Sequence, residues 1–322
     1  MKLLQIRPQY LKDFCGKNNI KNNLLAYIDS SKNRNECLDH CLFYGPAGVG
    51  KTTLAKIISN ELSQNIKIVQ GPEIQEKTDI LNLIYSLNEN SIIFIDEVHS
   101  INPKCFELLY SAMEDFEINI EIGKDFNKKL TTVSIPKFTL IGATTKLGNL
   151  PAPFEERFGI VINISEYTEK EIYKILDFSL KQCDIKVDKK VLEIISHRSK
   201  GIPRIAKRIL ARYLDHSLTS NNTAETILKN IGVYEKGLNE IDLSYLLCIY
   251  ENTKLGLKTL SQILNVDEKT IIEKIEPFLI KNNFISKTIN GRILTDNGLN
   301  FLTTNNLIKN NKKSSVEDKT NN

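Results

Sequence analysis

The chain has no tryptophan and only two methionines, and no apolar run comes near the roughly 18 residues of a membrane span. A membrane-embedded role is therefore not expected. The opening residues, Met1 to Pro8, hold no long apolar core and no small-residue cleavage site. They do not read as a secretory leader, and a cytoplasmic protein is expected. Cysteine is sparse and unpaired in pattern. Cys15, Cys37, Cys41, Cys105, Cys183 and Cys248 form no CxxC pair and no zinc spacing. Cys37, His40 and Cys41 make the tightest cluster, but no second ligand pair accompanies them, so reduced thiols are expected. A strong charge of either sign is also missing. The formal net charge is +4, too small to argue for nucleic acid, so any basic patch must be local. With 41% hydrophobic and 25% charged residues over 322 positions, the chain has an ordinary globular composition, sized for two or three domains. The many Asn, Lys and Ile residues read as the composition of an AT-rich genome.

Against that background one stretch stands out: Gly45-Pro46-Ala47-Gly48-Val49-Gly50-Lys51-Thr52-Thr53. It follows the apolar run Cys41–Tyr44 and leads into a helical pattern, Leu54 to Leu62. Strand, glycine loop, helix is the context a P-loop needs. Glycines let backbone N–H groups converge without Cβ clashes, and the helix N-terminus adds its positive dipole end. Lys51 is expected to reach the β- and γ-phosphates of ATP, and Thr52 to hold Mg²⁺. The plainer alternative is a glycine-rich turn before a helix.

Other segments alternate between strand and helix. Ile20–Ser31 reads as an amphipathic helix with Ile20, Leu24, Leu25, Tyr27 and Ile28 on one side. Ile66–Val69, Ser91–Glu97 and Phe138–Thr145 read as strands, the last two buried on both faces. Asp79–Leu87 and Pro103–Asp115 fit helices. Glu117–Ile122 and Thr132–Ile135 alternate around a polar turn, which predicts a β-hairpin with one apolar face of Ile118, Ile120, Ile122, Val133 and Ile135. That face either packs on its own domain or forms a protruding, partner-binding arm. The result is an α/β parallel-sheet domain over 1–165. Residues 166–236 carry only helical periodicity, starting at a capping box, Thr168 with Glu171. Residues 237–304 read as three short helices, the last over Glu268–Asn282, then a hairpin signalled by Asn290-Gly291. That is a winged helix-turn-helix. The tail, 305–322, is polar and expected to be disordered.

Asp96 and Glu97 end a buried strand downstream of the P-loop, a Walker B arrangement. Asp96 is expected to hold Mg²⁺ and Glu97 to act as general base on the attacking water. The alternative is that both acids cap a helix. Thr144, at the end of the next buried strand, can place a hydroxyl near that water. Arg7, Arg157 and Arg204 are candidate γ-phosphate sensors, although a lone arginine is most often a solvated surface charge.

Six motifs occur in order: Gly-Pro-x-Gly-x-Gly-Lys-Thr-Thr-Leu-Ala from Gly45, Phe-Ile-Asp-Glu-Val-His from Phe94, Met-Glu-Asp-Phe from Met113, Ile-Gly-Ala-Thr-Thr from Ile141, Glu-Arg-Phe-Gly from Glu156 and Gly-Ile-Pro-Arg-Ile-Ala from Gly201. Together they resemble the RuvB family of AAA+ ATPases, bacterial Holliday-junction branch-migration motors, from about Arg7 to Leu302. The resemblance implies a homo-hexameric ring that pulls duplex DNA through a four-way junction held by RuvA, with the RuvC resolvase in the same complex, in recombination and DNA repair. It further implies that Ile6, Arg7 and Tyr167 line the adenine site beside Gly45–Thr53. Glu114, Asp115 and Phe116 would also lie at the nucleotide site, and Thr144 and Arg204 would be sensors 1 and 2. Arg157 would be the arginine finger reaching a neighbour's nucleotide. The 117–135 hairpin would bind RuvA, favouring exposed isoleucines, and Lys287 and Arg292 would contact DNA. Three positions depart from the family pattern: Glu155 for a second arginine before the finger, Ala47 for a proline in the loop, and Asn290 for an arginine in the wing. A clamp-loader-type ATPase and a nucleotide-gated DNA-binding regulator are the competing readings. The first lacks a winged helix and usually has Ser-Arg-Cys where this chain has Glu156-Arg157-Phe158. The second has no need of a base such as Glu97.

Overall fold

Three runs that are apolar at nearly every position, Cys41–Tyr44 (β1), Ser91–Asp96 and Phe138–Thr144, are the inner strands of one parallel sheet. The computed structural model describes residues 2–122, 129–219 and 222–308. It divides into two compact units, Met1–Ala211 and Arg212–Asn322. In chain order the first unit adds β2 (Ile66–Gln70), β3 (Ser91–Asp96), the antiparallel hairpin β4 (Glu117–Ile122) and β5 (Lys129–Ser134), β6 (Phe138–Thr144) and β7 (Ile160–Asn163). The main sheet has the order β2-β3-β6-β1-β7. β7 was not expected from the sequence. It is a four-residue edge strand with alternate residues exposed, too short to carry a period of two. Register places Tyr44 beside Thr144 and Gln70 beside Asp96, so the carboxyl ends of β1, β2, β3 and β6 share one edge.

Helices α1 (Asn18–Arg34), α2 (Lys51–Leu62), α3 (Lys77–Tyr85), α4 (Phe106–Glu114), α5 (Ala152–Glu155), α6 (Glu169–Gln182), α7 (Lys189–His197) and α8 (Pro203–Ser217) follow their apolar patterns. α1 buries Leu24, Ile28 and Ser31, at spacings of four and three. Leu25 and Tyr27, expected on that face, are exposed because one helical stripe cannot include them. The α6 capping box forms as expected: Thr168 accepts from the Glu171 N–H, and Glu171 accepts from that of Thr168. α2 buries Leu54, Ile57 and Ile58. At about 1.5–3 kcal/mol for each such side chain, this fixes the helix whose N-terminus ends the glycine loop.

The hairpin face needs correction. Ile118 and Ile135 are buried, and Ile120 and Val133 pack against the same sheet-domain core. These isoleucines hold the hairpin to its own domain, since leaving them in water would forfeit their burial. The side chain of Ile122 and the turn 123–128 lie outside the described residues.

The second unit contains α9 (Ala224–Asn230), α10 (Glu240–Asn252), α11 (Leu257–Leu264), α12 (Glu268–Thr270), α13 (Glu276–Lys281), the hairpin β8 (Ile285–Thr288) and β9 (Gly291–Leu294), and α14 (Asp296–Thr304). Its core gathers Tyr245, Leu246, Ile249, Ile271, Leu279, Phe284 and Leu302. The expected single helix over Glu268–Asn282 is instead interrupted by a π-turn at Ile271–Ile275. Pro277 explains it: proline donates no N–H and its ring crowds the carbonyl four residues back, so the preceding turn widens. Gly291, at φ 135°, is needed because a Cβ there would lie 2.6 Å from the Leu255 carbonyl. The polar tail beyond Ile308 lies outside the described residues. Among the described residues no helix is long and apolar enough to cross a membrane.

His40 is not a metal ligand but a tie inside the first unit. Its Nδ1 accepts from the Leu140 N–H at 2.9 Å, which leaves Nε2–H to donate to the Met113 carbonyl at 3.0 Å. Burial holds its pKa below the ordinary value, ahead of the smaller upward effects of Met113 and Asp39. The folded state therefore favours neutral His40. Its stabilisation is complete above about pH 6.5 and is lost as pH falls below that. His40→Ala should cost on the order of 2–4 kcal/mol, by leaving two buried backbone groups unpaired. It should also flatten the acid limb of stability below about pH 6.5, measured by urea denaturation across pH. An unchanged acid limb would remove His40 from this role.

Candidate nucleotide site

Gly45, Gly48 and Gly50 have φ of 141°, 85° and 109°, values that L side chains rarely adopt. At Gly45 a Cβ would also lie 2.2 Å from the Ile164 carbonyl, so the loop closes against the strand end only with glycine. Lys51 opens α2 and turns back over this loop, donating to the Gly45 carbonyl at 2.8 Å and to the Pro46 carbonyl at 3.0 Å. Burial lowers its pKa, partly offset by Glu97 and Asp96. Thr52 Oγ1 donates to Asp96 Oδ2 at 3.0 Å. A hydroxyl and a carboxylate in contact beside a phosphate-shaped loop are the hard oxygen donors that suit Mg²⁺.

Glu97 has φ 52° and its carbonyl abuts Gly71, where a Cβ would lie 2.2 Å away. Its carboxylate Oε2 accepts from Thr145 Oγ1 at 3.0 Å and the Thr145 N–H at 3.3 Å, with His99 Nδ1 3.2 Å away. The same His99 nitrogen lies 2.9 Å from Thr144 Oγ1. The base candidate is thus aimed by the end of β6. Sequence reasoning did not single out Thr145 or His99, although both lie within the quoted motifs.

A cavity of about 660 Å³ joins these groups. Ile6, Arg7, Ala47–Thr53, Asp96, Glu97, Tyr167 and Arg204 all line it. The Tyr167 hydroxyl donates to the Val49 carbonyl at 3.0 Å, and the Arg204 N–H donates to the Gly48 carbonyl at 3.3 Å. Lys207, also missed, lines the same wall and donates to the Ile6 carbonyl. Burial first, then neighbouring Arg7, pushes its pKa down to about 8. Nothing in the local sequence marks it, because its partner lies 201 residues away.

Seven residues expected at the nucleotide lie outside the cavity lining: Gly45 and Pro46, whose carbonyls Lys51 engages, Thr144, Arg157, Glu114, Asp115 and Phe116. Thr144 is fully buried, and its hydroxyl is engaged by His99 and the Lys146 N–H. Its hydroxyl is therefore not open to the cavity, and the contact that leads from it toward Glu97 is His99. Arg157, Glu114, Asp115 and Phe116 lie elsewhere on the first unit. Arg157 Nη2 pairs with Glu114 Oε2 at 2.7 Å, Nη1 donates to the Pro153 carbonyl, and the guanidinium sits over the Tyr110 ring. Phe116 packs against Phe138 and His40. In the second unit, Lys287 and Arg292 both meet the buried carboxylate of Glu276.

The sequence matches three related families: the Holliday junction DNA helicase RuvB P-loop domain over residues 6–164, the RuvB AAA lid domain over 167–242 and the RuvB C-terminal winged helix domain over 235–303. It is 46% identical over 307 residues to a Holliday junction branch migration complex subunit RuvB of Ureaplasma parvum serovar 3, covering 95% of this chain and 98% of that one. The corresponding Mycoplasma genitalium protein is 41% identical over 302 residues, covering 93% and 98%. Among solved structures, a Thermotoga maritima RuvB Holliday junction branch migration motor aligns with a TM-score of 0.77 at 36% identity, covering 93% of this chain and 98% of that chain.

Glu97→Gln should keep ATP binding and lower turnover by at least about 10²-fold, the lower end of general-base contributions. Thr145→Val, which removes one of the bonds aiming Glu97, should lower kcat while leaving nucleotide affinity within about twofold. Equilibrium nucleotide binding and steady-state ATPase measured on the same preparations separate the two effects. Near-normal turnover in Glu97→Gln would take Glu97 out of the base role.

Proposed function

The chain belongs to the RuvB family of Holliday junction branch-migration motors, and from that premise we propose how its residues carry out the work. It is an ATPase that drives branch migration of four-way DNA junctions together with RuvA. The observation that carries the residue-level reading is the contact of Thr52 with Asp96 beside the glycine loop and the clamped Glu97, all facing one cavity.

In this reading the backbone N–H groups of Gly45–Thr53 and the Lys51 ammonium bind the ATP phosphates. Thr52 and Asp96 would hold Mg²⁺, which when bound supplies charge neutralisation at the β- and γ-phosphates. Glu97, aimed by Thr145, takes the proton of the attacking water, and His99 relays the state of Thr144 to it. Arg204 caps the phosphate end, and Ile6, Arg7 and Tyr167 wall the base. Arg157, which does not line its own chain's cavity, completes a neighbour's site. The energies allow this. The Arg157–Glu114 pair is partly exposed, and such pairs are worth about 0–1 kcal/mol. An arginine finger contributes about 10³–10⁵-fold in rate, or roughly 4–7 kcal/mol. Glu114, Asp115 and Phe116 then flank the same subunit boundary.

Any closed homo-oligomeric ring gives every cavity a neighbour; the likeness to the RuvB family supports a homo-hexamer, with RuvC joining the junction complex in the cytoplasm. The chain works as a sheet domain over 1–165, a helical lid over 166–236 and a winged helix over 237–304 whose Lys287 and Arg292 face duplex DNA. The 117–135 hairpin is the RuvA-binding element. Its buried base anchors it, so the contact falls on residues other than Ile118 and Ile135.

Two measurements test this. Lys51→Ala and Arg157→Ala subunits, each inactive alone, should recover part of the ATPase when mixed. No recovery at any ratio would sink the shared site. With purified RuvA and a synthetic four-way junction, the chain should separate the junction arms only with hydrolysable ATP. Stimulated ATPase without arm separation would favour a nucleotide-gated regulator over a motor.

A further inference from the structure

Lys287 and Arg292 occupy directly opposed positions on β8 and β9. Two like charges facing each other across a hairpin repel, and such pairs destabilise a two-stranded ribbon. This pair is held by an acid from another element. Glu276, the first residue of α13, has a fully buried side chain. One oxygen accepts from Arg292 Nε at 2.8 Å and from the Tyr245 hydroxyl at 2.9 Å, and the other lies 2.5 Å from Lys287 Nζ. The π-turn that Pro277 imposes immediately precedes this residue. A buried carboxylate with so many donors stays ionised. Burial alone would raise its pKa, but bonds from Arg292, Lys287 and Tyr245 outweigh that and bring it below the ordinary value.

The details of the contact matter. Arg292 reaches Glu276 through Nε rather than through the two ends of its guanidinium fork, and Tyr245 is its other close partner, so the five-donor group is not used up by the carboxylate. Its side chain is 15% exposed and that of Lys287 is 44% exposed. Ile289, in the turn between them, is fully exposed, so this end of the hairpin is open. Fixing a long cation before its ligand arrives removes rotamer freedom that binding would otherwise have to remove.

We propose that Glu276 is a positioning residue for DNA contact, holding Arg292 and Lys287 from inside the winged unit so that both present their remaining donors to the phosphate backbone. This rests on the reading of that unit as a duplex-DNA contact. It makes a prediction whose sign opposes simple electrostatics. Deleting a negative charge beside two cations should strengthen attraction to a polyanion. If Glu276 positions those cations, deleting its charge weakens binding instead.

The test uses the full chain and a fluorescent duplex, with anisotropy titrations across salt. Glu276→Gln should bind at least about tenfold more weakly, the scale of one charge-assisted hydrogen bond. The same substitution in an Arg292→Met, Lys287→Met background should have no further effect. Equal or tighter binding by Glu276→Gln, or a loss that persists in the double background, overturns the proposal. Should Glu276→Gln fail to fold, Arg292→Lys decides. It keeps the charge but has no fork with which to hold Glu276 and a phosphate together, so affinity should fall about tenfold with the salt slope unchanged. Wild-type affinity in that variant overturns the proposal. A wild-type chain with no salt-dependent duplex binding would remove the DNA reading itself. Normal wild-type binding with indifferent variants removes Glu276 alone.

Discussion

Parallel pairing sets everything else in the first unit. Because β1, β3 and β6 run the same way, the sheet sends Tyr44, Asp96 and Thr144 to one edge. A parallel sheet leaves its strand ends, not its faces, open to ligands. The glycine loop, the acid pair and the residues that aim them are therefore neighbours although about a hundred residues separate the first from the last. No helix–helix contact could substitute, since only strand register fixes all three ends to within one residue.

How much of this could be read from the chain depends on how local each signal is. The glycine loop, the acids after β3 and the Asn-Gly turn were legible because their chemistry is contained in a few consecutive residues. β7 was not, since four residues with Val161 exposed show no period. The break at Ile271–Ile275 had a signal in Pro277, an interior proline of the expected helix that removes a backbone donor, but the apolar spacing argued for continuity. The amphipathic face of α1 was drawn too wide, because counting apolar residues does not tell which of them its neighbour α2 and the rest of the unit cover. Thr145, His99 and Lys207 act through contacts that only the fold creates.

Residues identified by likeness divided in a similar way. Those whose partners lie in the same subunit, such as Tyr167 on Val49, fell into place around the cavity. Arg157 and Glu114 found one another instead. The wing cations found Glu276, which no motif had marked. If Arg157 and the wing cations work on another molecule, as proposed above, each meanwhile takes a partner its own chain offers, and a partly exposed pair such as Arg157–Glu114 costs little to give up.

Considered as mechanics, the His40 imidazole is a tie rod. One end grips the carbonyl of Met113, the residue before Glu114, and the other grips the N–H of Leu140 in the strand that ends at Thr144. Arg157 leans on Glu114 at one end of this line, and His99 touches Thr144 at the other. Hydrogen bonds tolerate only a few tenths of an ångström of stretch before they weaken steeply. The surface that carries Arg157 and the strand that ends beside Glu97 are thus joined through a single buried imidazole.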